Sequence, residues 1–305
     1  MLIEQPSQWA RFAAQFAPSA PAVAKAAFLV SPEGFSIAEQ SQHDNAYMQG
    51  GAVDAERALA QHRRLQSALA DCLPTIVFPG HAATPDAVFP NNVFATAKVA
   101  GRGRLLIGKM RHPVRQAEAE RQDLPRFFSE TLGYEQVDLR PLPGLSELTG
   151  TLVIDRARGL GFAGLSPRCD REGAATMSEA FGLAGCLVFE LTDAEYHTNV
   201  VLSVLASRAV VGFPDSFRRS EDWSAIAEQY APQVIELDGA EKADFAGNCI
   251  ALDETSVWMS ERAADGLRPA SRQAFERAGF QIRAVKLDEI ERAGGSLRCC
   301  VAEIY

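Results

Sequence analysis

The feature that most constrains the fold of this chain is a repeat of about fifty residues. Polar residues that each precede an apolar, strand-like run recur at intervals of 55, 50, 51 and 51 positions, at Asn92, Glu147, His197, Asn248 and Cys299. A period of this length, with one supersecondary unit per repeat, is typical of radial repetition. Five such units would close into a propeller-like ring without long open sheet edges, and would bring these polar residues together at its axis. A large α/β chain also offers many polar residues, so the spacing alone leaves a fold without this symmetry open.

The secondary-structure patterns follow the same period. Short apolar runs between turn residues predict strands, and apolar positions at helical spacing among charges predict surface helices. The predicted strands are 26–30, 75–78, 105–107, 151–155, 159–164, 186–190, 200–205, 209–213, 234–237, 249–252, 256–259 and 280–285. The predicted helices are 52–71, 113–132, 176–183, 219–231 and 269–278. We therefore expect repeated ββαβ units within one domain, 1–305, that begins with an N-terminal helical extension, 1–25.

The last dozen residues contain two adjacent cysteines. Gly294, Gly295 and Ser296 predict a turn, and the apolar run from Cys299 predicts a strand directly after it. Successive side chains on a strand point to opposite faces, so Cys299 and Cys300 should have different surroundings, with Cys299 at the rim of the sheet. The alternative is that both are core cysteines, because unpaired cysteine is among the most buried residue types.

Composition limits the class of protein. The 305 residues are 47% hydrophobic, enough for a sizeable core, and the formal net charge of −9 argues against nucleic acid or an anionic membrane as a partner. No apolar run approaches the roughly 20 residues that span a bilayer, and the N-terminus lacks the pattern of a signal peptide. The six cysteines form no CxxC pair, which indicates neither a zinc site nor a disulfide framework. We expect a cytoplasmic protein with reduced thiols.

Three residues of the repeat form a chemically coherent set. The thiolate of Cys299 is a nucleophile, and the imidazole of His197 can protonate a leaving amine and later activate water. A carboxylate from Glu147 near that imidazole would orient it and favour its protonated form. This chemistry needs no cofactor and no metal. The alternative is that His197 is a capping or core histidine.

Other polar residues have plainer interpretations. The remaining histidines lie in polar or loop-like contexts and are predicted at the surface: His43, His62, His81 and His112. Lys109 and Arg115 are predicted to be solvated charges, with assistance in binding a substrate carboxylate as the alternative. Asn248 either lines the floor of the ring or belongs to a turn before a strand. The polar loop 31–50 is a candidate lid, because it lies between a predicted strand and a predicted helix.

Five segments together resemble the guanidine-modifying (pentein) superfamily. They occur in the superfamily's order and near its spacing: 88–94 (VFPNNVF), 147–153 (ELTGTLV), 165–170 (LSPRCD), 196–200 (YHTNV) and 294–299 (GGSLRC). The resemblance covers most of the chain from about residue 28. It implies a five-bladed α/β propeller with pseudo-fivefold symmetry, with Cys299 as nucleophile, His197 as acid and base, and Glu147 as its partner.

The same resemblance implies a small amino-acid substrate. Arg168 would bind its carboxylate and Asp86 its amino group, with Phe89, Asn91 and Asn92 completing the substrate-binding set. Superfamily hydrolases that act on guanidinium groups place carboxylates near the last two positions, because a delocalised cation favours a bidentate carboxylate partner. An amide instead matches the carbonyl and amino group of a neutral ureido group, and this segment is most similar to the citrulline-hydrolase-like branch.

We therefore expect a hydrolase that cleaves a C–N bond of a ureido or guanidino group through a covalent adduct on Cys299. Dimethylarginine hydrolysis and amidino transfer are the alternatives within this chemistry. A non-catalytic pentein that serves as a binding module is the alternative of a different class, although a pure scaffold needs neither Cys299 nor His197. The sequence leaves the oligomeric state open, with a homodimer as one expectation.

Overall fold

The computed structural model describes residues 1–305, which form fifteen short strands connected by helices and helical turns. The strands are β1 (Leu2–Ile3), β2 (Ala26–Val30), β3 (Thr75–Phe78), β4 (Phe94–Val99), β5 (Arg102–Ile107), β6 (Glu135–Asp138), β7 (Leu152–Asp155), β8 (Leu160–Leu165), β9 (Gly185–Glu190), β10 (Leu202–Leu205), β11 (Ala209–Gly212), β12 (Val234–Glu236), β13 (Ser256–Ser260), β14 (Gln281–Val285) and β15 (Ala302–Ile304).

The α-helical segments are α1 (Pro6–Ala13), α2 (Glu39–Gln42), α3 (Ala55–Ala70), α4 (Pro113–Gln116), α5 (Asp123–Arg126), α6 (Leu148–Thr151), α7 (Arg171–Ala180), α8 (Ser220–Tyr230), α9 (Gly239–Ala243), α10 (Glu261–Gly266), α11 (Pro269–Arg277) and α12 (Leu297–Cys300). Tighter 3₁₀ turns occur at Pro90–Asn92, Ala117–Glu120, Thr198–Val200, Pro214–Ser216 and Ile290–Ala293, and a π-helical turn at Phe127–Thr131.

The strands form five separate sheets of similar topology. Their strand orders are β15-β2-β3, β4-β5-β6, β1-β9-β8-β7, β10-β11-β12 and β13-β14. In the first four sheets an antiparallel pair is followed, after a helical connection, by a strand that pairs in parallel. The β13-β14 pair is parallel, and a single antiparallel bridge from Ile250 to Trp258 stands where the other sheets have a full strand. Each unit therefore follows the order strand, strand, helix, strand.

Neighbouring sheets share their hydrophobic cores. Phe28 of β2, Phe94 of β4 and Leu105 of β5 belong to one buried cluster. The amphipathic helix α3 packs its apolar face onto the cluster that contains Leu29. Asp54 caps its N-terminus, where the Asp54 carboxylate accepts a hydrogen bond from the Arg57 amide. This shared packing fixes how each sheet lies against the next.

The two ends of the chain are both part of sheets. Near the N-terminus, β1 pairs in parallel with β9, and Trp9 of α1 is fully buried with its ring edge-on to Phe162 at 5.4 Å. At the other end, β15 pairs antiparallel with β2. The sheet that contains β2 and β3 is therefore completed by the last residues of the chain.

Three element predictions are wrong. The chain does not enter a strand at Cys299, because α12 forms a helical turn in which the amides of Cys299 and Cys300 both donate to the carbonyl of Ser296. Segment 249–252 contributes only the bridge at Ile250. The predicted helix 113–132 is divided into short helical segments, since Arg121 has extended dihedral angles and Pro125 has no amide N–H to donate.

Candidate active site

One helical turn precedes the leading strand of four of the five sheets. Asn92 and Cys299 lie on these turns, Glu147 and His197 directly precede them, and Asn248 lies in a loop. The turns are Pro90–Asn92 before β4, α6 before β7, Thr198–Val200 before β10, and α12 before β15. The turns pack against one another, with α6 in contact with Pro90–Asn92 and Thr198–Val200, and α12 in contact with Pro90–Asn92. Side chains more than two hundred residues apart in sequence are thereby brought to one place.

Glu147 and His197 form a buried hydrogen-bonded pair. Each residue directly precedes a helical turn, and the Nε2 of His197 lies 2.7 Å from the Oε2 of Glu147, with both residues fully buried. Burial alone would raise the pKa of Glu147, but the charge of Arg168 and the hydrogen bond with His197 outweigh it and hold the pKa well below its usual value. Because an ionised carboxylate only accepts hydrogen bonds, the proton lies on Nε2, and Nδ1 keeps a free lone pair.

The imidazole of His197 is itself favoured in its neutral form. Burial lowers the pKa of His197 below the ordinary 6.5, although Glu147 opposes this shift. The Nδ1 atom has no hydrogen-bond partner in the protein. It faces the small residue Gly150, where an added Cβ would lie 3.0 Å from Nδ1 and 2.7 Å from the Oδ1 of Asn92. His197 and Asn92 therefore meet across a glycine that leaves them room.

The Cys299 thiol is buried, and Cys299 lies on α12. Its sulfur accepts a hydrogen bond from the Nδ2 of Asn248 at 3.3 Å and lies 3.9 Å from the Oδ1 of Asn199. Burial raises the pKa of the thiol above its ordinary 9.0, while hydrogen bonds from the Ser296 backbone and the Asn248 side chain lower it. The turn is held by the Oγ of Ser296, which donates to the buried carboxylate of Glu291 at 2.6 Å. Burial thus favours a protonated thiol at Cys299 and a neutral imidazole at His197.

A small cavity brings together most of the predicted residues. Its walls include Asp86, Phe89, Asn92, Arg168 and Cys299, and its volume of about 10 Å³ means that it is nearly closed in this structure. Gly295 lets the ring of Phe89 approach closely, because a Cβ at Gly295 would lie 2.8 Å from the Phe89 Cε1. Of the other predicted residues, Glu147 and His197 do not line this cavity, and Glu147 bonds to Arg168.

Several buried amides near Cys299 lack protein partners. The Oδ1 of Asn92, the Nδ2 of Asn199, and both the Nδ2 and the Oδ1 of Asn91 make no hydrogen bond in the protein. Asn91 does not line the cavity, and its backbone carbonyl accepts a hydrogen bond from Thr149 at 3.0 Å. Unsatisfied buried polar atoms are costly, so such a set marks a place where a polar ligand would bind. The set contains donors and acceptors but no charge.

Arg168 is already engaged by carboxylates of the protein. Its Nη1 lies 3.1 Å from Glu147 and its Nε 3.0 Å from Asp44, and its Nη2 donates to the Ser41 carbonyl at 3.3 Å. Asp44 also receives Arg111 at 3.2 Å and His112 at 3.0 Å. The segment around α2 therefore covers the cavity, and Ser41 and Asn45 are part of its walls. The side chains of Arg168, Arg111 and His112 therefore converge on the carboxylate of Asp44.

Asp86 is another residue of the cavity wall, and Ser41 holds it in place. Its Oδ2 accepts a hydrogen bond from the Ser41 hydroxyl at 2.7 Å, and its Oδ1 has no partner. Burial raises the pKa of Asp86, although the charge of Arg115 opposes this shift. The free oxygen is a ready acceptor for a donor in the cavity.

Sequence reasoning missed some residues of the site. Arg115 was predicted to be solvated, but it is buried on the cavity wall, where its Nε pairs with Glu118 at 2.7 Å and its Nη2 donates to the Phe89 carbonyl at 3.1 Å. Its charged sequence neighbourhood gave no sign of this. Tyr196 also lines the cavity, and its ring lies 4.3 Å from that of His197. Asn199 and Asn248 were detectable, since one follows the predicted histidine and the other is on the fifty-residue period.

Two further observations concern ligands and membranes. No group of three or more His, Cys, Asp or Glu side chains is arranged to hold a metal ion. None of the helices combines the length and the apolar character required to cross a bilayer.

Comparisons with known proteins add to this geometry. The family model described as N,N dimethylarginine dimethylhydrolase, eukaryotic, matches residues 31–305. The protein YkgA of Bacillus subtilis is 22% identical over 274 residues, which are 89% of this chain and 88% of the relative. The N(G),N(G)-dimethylarginine dimethylaminohydrolase of Mycobacterium tuberculosis is 28% identical over 225 residues, 72% of this chain and 67% of the relative.

A solved structure has the same fold. The substrate-bound N-terminal domain of ArgZ, an arginine dihydrolase of the ornithine-ammonia cycle in cyanobacteria, superimposes with a TM-score of 0.76 at 19% identity. The match covers 92% of this chain and 97% of that domain. The α/β architecture is thus that of a known pentein structure.

Proposed function

The chain belongs to the N,N-dimethylarginine dimethylhydrolase family, and on that premise we propose that it cleaves a C–N bond of a citrulline- or arginine-like amino acid through a covalent adduct on Cys299. Membership of this family makes it a hydrolase of carbon–nitrogen bonds other than peptide bonds. The proposal concerns the group that is attacked, the residues that do the chemistry, and the preference for a neutral substrate. A cytoplasmic location and a homodimer remain predictions of the sequence.

The five sheets are proposed to form one closed ring. Their common strand order and the pairing of β15 with β2 support a five-bladed α/β propeller with pseudo-fivefold symmetry, in which the whole chain is a single catalytic domain. The turns before the strands would then face the axis, with Cys299, His197 and Glu147 at one mouth. This arrangement accounts for the fifty-residue spacing.

The proposed reaction begins with neutral groups. The thiol of Cys299 gives its proton to the Nδ1 of His197, and the sulfur forms a bond to the ureido or amidino carbon. The C–N bond to the leaving nitrogen then breaks, and His197 returns the proton to that nitrogen. Water next attacks the carbon on sulfur and loses a proton to His197, and the S–C bond breaks as the thiol is reprotonated. Glu147 holds the Nε2–H of His197 and stabilises the transient imidazolium.

The substrate preference follows from the amides at the site. The single observation that carries it is that buried amide atoms of Asn92, on the cavity wall, and of Asn199, whose side chain lies 3.9 Å from the Cys299 sulfur, have no hydrogen-bond partner. A carbonyl oxygen and an amino group match such donors and acceptors, whereas a guanidinium would be buried there without a bidentate carboxylate partner. We therefore propose that a ureido group is preferred over a guanidino group.

The rest of the substrate is proposed to bind on the other walls of the cavity. The free Oδ1 of Asp86 accepts from the amino group, and the alkyl chain packs on Phe89. Arg168 binds the substrate carboxylate in the place of Asp44, whose carboxylate it holds in this structure. This exchange keeps the Arg168 charge paired in both states.

Hydrolysis of methylated arginine is the second candidate. It is favoured by the family to which the chain belongs and by the activity for which the Mycobacterium tuberculosis relative is named. The cavity would then accept a methylated guanidino group and release methylamine or dimethylamine. Amidino transfer requires that water be excluded while an amine acceptor binds, and no specific observation favours it.

The experiment is covalent labelling combined with product identification. A haloacetamidine should modify Cys299, located by peptide mass spectrometry, and both labelling and turnover should be lost in Cys299→Ala. His197→Ala should lower turnover by about 10²–10⁴-fold, the usual contribution of general acid–base catalysis. Ammonia or ornithine as product supports the proposal, and methylamines identify the second candidate. Turnover that survives Cys299→Ala would refute the covalent mechanism.

A further inference from the structure

The side chain of Asn248 donates a hydrogen bond to the Cys299 sulfur. Asn248 is fully buried, and its Nδ2 lies 3.3 Å from the Cys299 sulfur and 2.9 Å from the Asn199 carbonyl. Its Oδ1 accepts from the Cys299 amide at 3.4 Å. One amide thus contacts both the reacting sulfur and the backbone that carries it. The Ser296 backbone is the other hydrogen-bonding group that lowers the pKa of this thiol, and the nearby Oδ1 of Asn199 is an acceptor.

The loop that carries Asn248 is rigidly held. The Ser203 hydroxyl of β10 lies 2.9 Å from the carbonyl oxygens of both Gly247 and Cys249, on the two sides of Asn248. Gly247 is in close contact with the turn Thr198–Val200 before β10, because an added Cβ would lie 2.4 Å from the Val200 carbonyl. The Asn248 amide donates to the Phe245 carbonyl at 2.8 Å. The carboxamide is therefore aimed at the sulfur by the backbone and not by chance packing.

We propose that Asn248 is a positioning residue that orients the Cys299 thiol and stabilises its thiolate with the Nδ2–H hydrogen bond. The inference rests on the proposed function, in which Cys299 is the nucleophile. When the proton leaves the sulfur, the negative charge develops in a site with no cation bonded to it. A preorganised amide N–H directed at that charge stabilises it without reorganisation.

The neutrality of the amide has its own consequence. A lysine or arginine at this position would keep the thiol permanently ionised and open to oxidation. An amide strengthens its interaction only when the charge appears, because hydrogen bonds to ionised groups are about twice as strong as neutral ones. The nucleophile is thereby kept protonated until substrate is bound.

The test measures the ionisation of Cys299 in the full chain. The rate of alkylation by iodoacetamide is followed against pH on the Cys299 peptide by mass spectrometry, in the wild type, Asn248→Ala and Asn248→Asp. Asn248→Ala should raise the apparent pKa of the thiol by about one unit, a tenfold lower rate at pH values below both pKa values. Asn248→Asp should raise it further, because it replaces the donor with a like charge while keeping the shape of the side chain. Ser203→Ala is the matched control, since Ser203 supports the same loop without touching the sulfur.

The ranking of the variants by the apparent pKa of the Cys299 thiol separates this role from a structural one. If Asn248 only holds the loop, the isosteric Asn248→Asp will resemble the wild type more closely than Asn248→Ala does, and the inference is then wrong. An unchanged thiol pKa in either folded variant, or an equal shift in Ser203→Ala, also overturns it. Should Asn248→Ala not fold, Asn248→Asp alone decides by the direction of its shift. Failure of the proposed function is distinct, because Cys299→Ala would then retain turnover whatever the thiol pKa.

Discussion

At the scale of single residues, the site keeps its reactive groups uncharged. Burial raises the pKa of the Cys299 thiol and lowers that of the His197 imidazole, so both groups are neutral around pH 7. Glu147, by contrast, is held ionised by Arg168 and His197. In the proposed reaction, the proton therefore starts on the Cys299 sulfur and passes through the Nδ1 of His197.

The presence of this proton on the Cys299 sulfur, with a neutral His197, predicts the pH dependence of kcat/KM. His197 must be unprotonated in the free enzyme to accept the thiol proton, and its pKa is lowered from 6.5. The rate should therefore be flat from pH 6.5 upwards to near pH 9.0, the ordinary thiol value that Cys299 exceeds, and should fall only below pH 6.5. Initial rates between pH 5 and 9 test this. A rate that declines steadily from about pH 6 to 8 would show that a protonated His197 is needed before binding.

Asn92 is the residue that should decide between ureido and guanidino substrates. The variant Asn92→Asp places a carboxylate on the cavity wall and should raise the ratio of kcat/KM for arginine to that for citrulline at least about tenfold. Asn91→Asp, at a buried position away from the cavity wall, is the matched control and should change the ratio less. An equal ratio in the wild type and in Asn92→Asp would remove Asn92 from substrate recognition.

At the scale of elements, the strands were easier to predict than the turns that carry the site. Short apolar runs such as β2, β3 and β9 have little choice of structure, and the prediction at each is confirmed within one residue. The turn α12 was taken for the start of a strand, because its apolar residues give no helical period in four positions. Arg115 and Asp44 reach the site only through tertiary contacts, which no local pattern records.

The close packing of α6 predicts a sensitive glycine. Gly150→Ala would place its Cβ 2.7 Å from the Asn92 Oδ1 and 2.9 Å from the His197 Cε1, so one of these groups must move. Turnover should fall about a hundredfold with little change in secondary structure by circular dichroism. Gly239→Ala, at the start of α9 with open space around its Cβ, is the control. Equal activity of the two variants would contradict this packing.

The carboxylate of Asp44, in the segment around α2, should compete with the substrate carboxylate for Arg168. Asp44→Asn removes the charge that pairs with Arg168, Arg111 and His112, and leaves Arg168 free for the substrate. We expect a KM several-fold lower than in the wild type, whereas Arg168→Gln should raise KM. Steady-state kinetics of both variants give the answer. A higher KM in Asp44→Asn would mean that Asp44 helps to build the site instead of competing for it.

At the scale of the whole molecule, the position of Cys299 depends on the pairing of β15, the strand that follows it, with β2. The strand after α12 joins β2, and the Glu303 carbonyl and Tyr305 amide bond to the Thr96 hydroxyl of β4 at 2.9 and 3.0 Å. The fifty-residue period therefore predicted correctly that distant residues meet. It could not predict which amides and ion pairs surround them, because these depend on side-chain packing between sheets.

A buried histidine predicts how global stability depends on pH. His62 of α3 was expected at the surface, but it is 1% exposed, and burial lowers its pKa from 6.5 to about 4. The folded state therefore binds fewer protons than the unfolded state between these values, and the contribution is present above pH 6.5 and lost as the pH falls to about 4. The loss is on the order of 3 kcal/mol in the free energy of unfolding.

Urea unfolding at pH 7 and pH 4.5 measures this contribution. His62→Leu should reduce the difference in stability between the two pH values, while the exposed His43→Leu should leave it as in the wild type. The same pH difference in His62→Leu as in the wild type would show that His62 does not carry it.

The central claim is that Cys299 attacks a neutral ureido carbon held by uncharged amides. Its most direct test is the comparison of kcat/KM for citrulline and for arginine, measured by ornithine and ammonia release with the wild type and with Cys299→Ala as the blank. The account predicts a higher kcat/KM for citrulline than for arginine, with neither turned over by Cys299→Ala. Turnover of arginine without turnover of citrulline would contradict it.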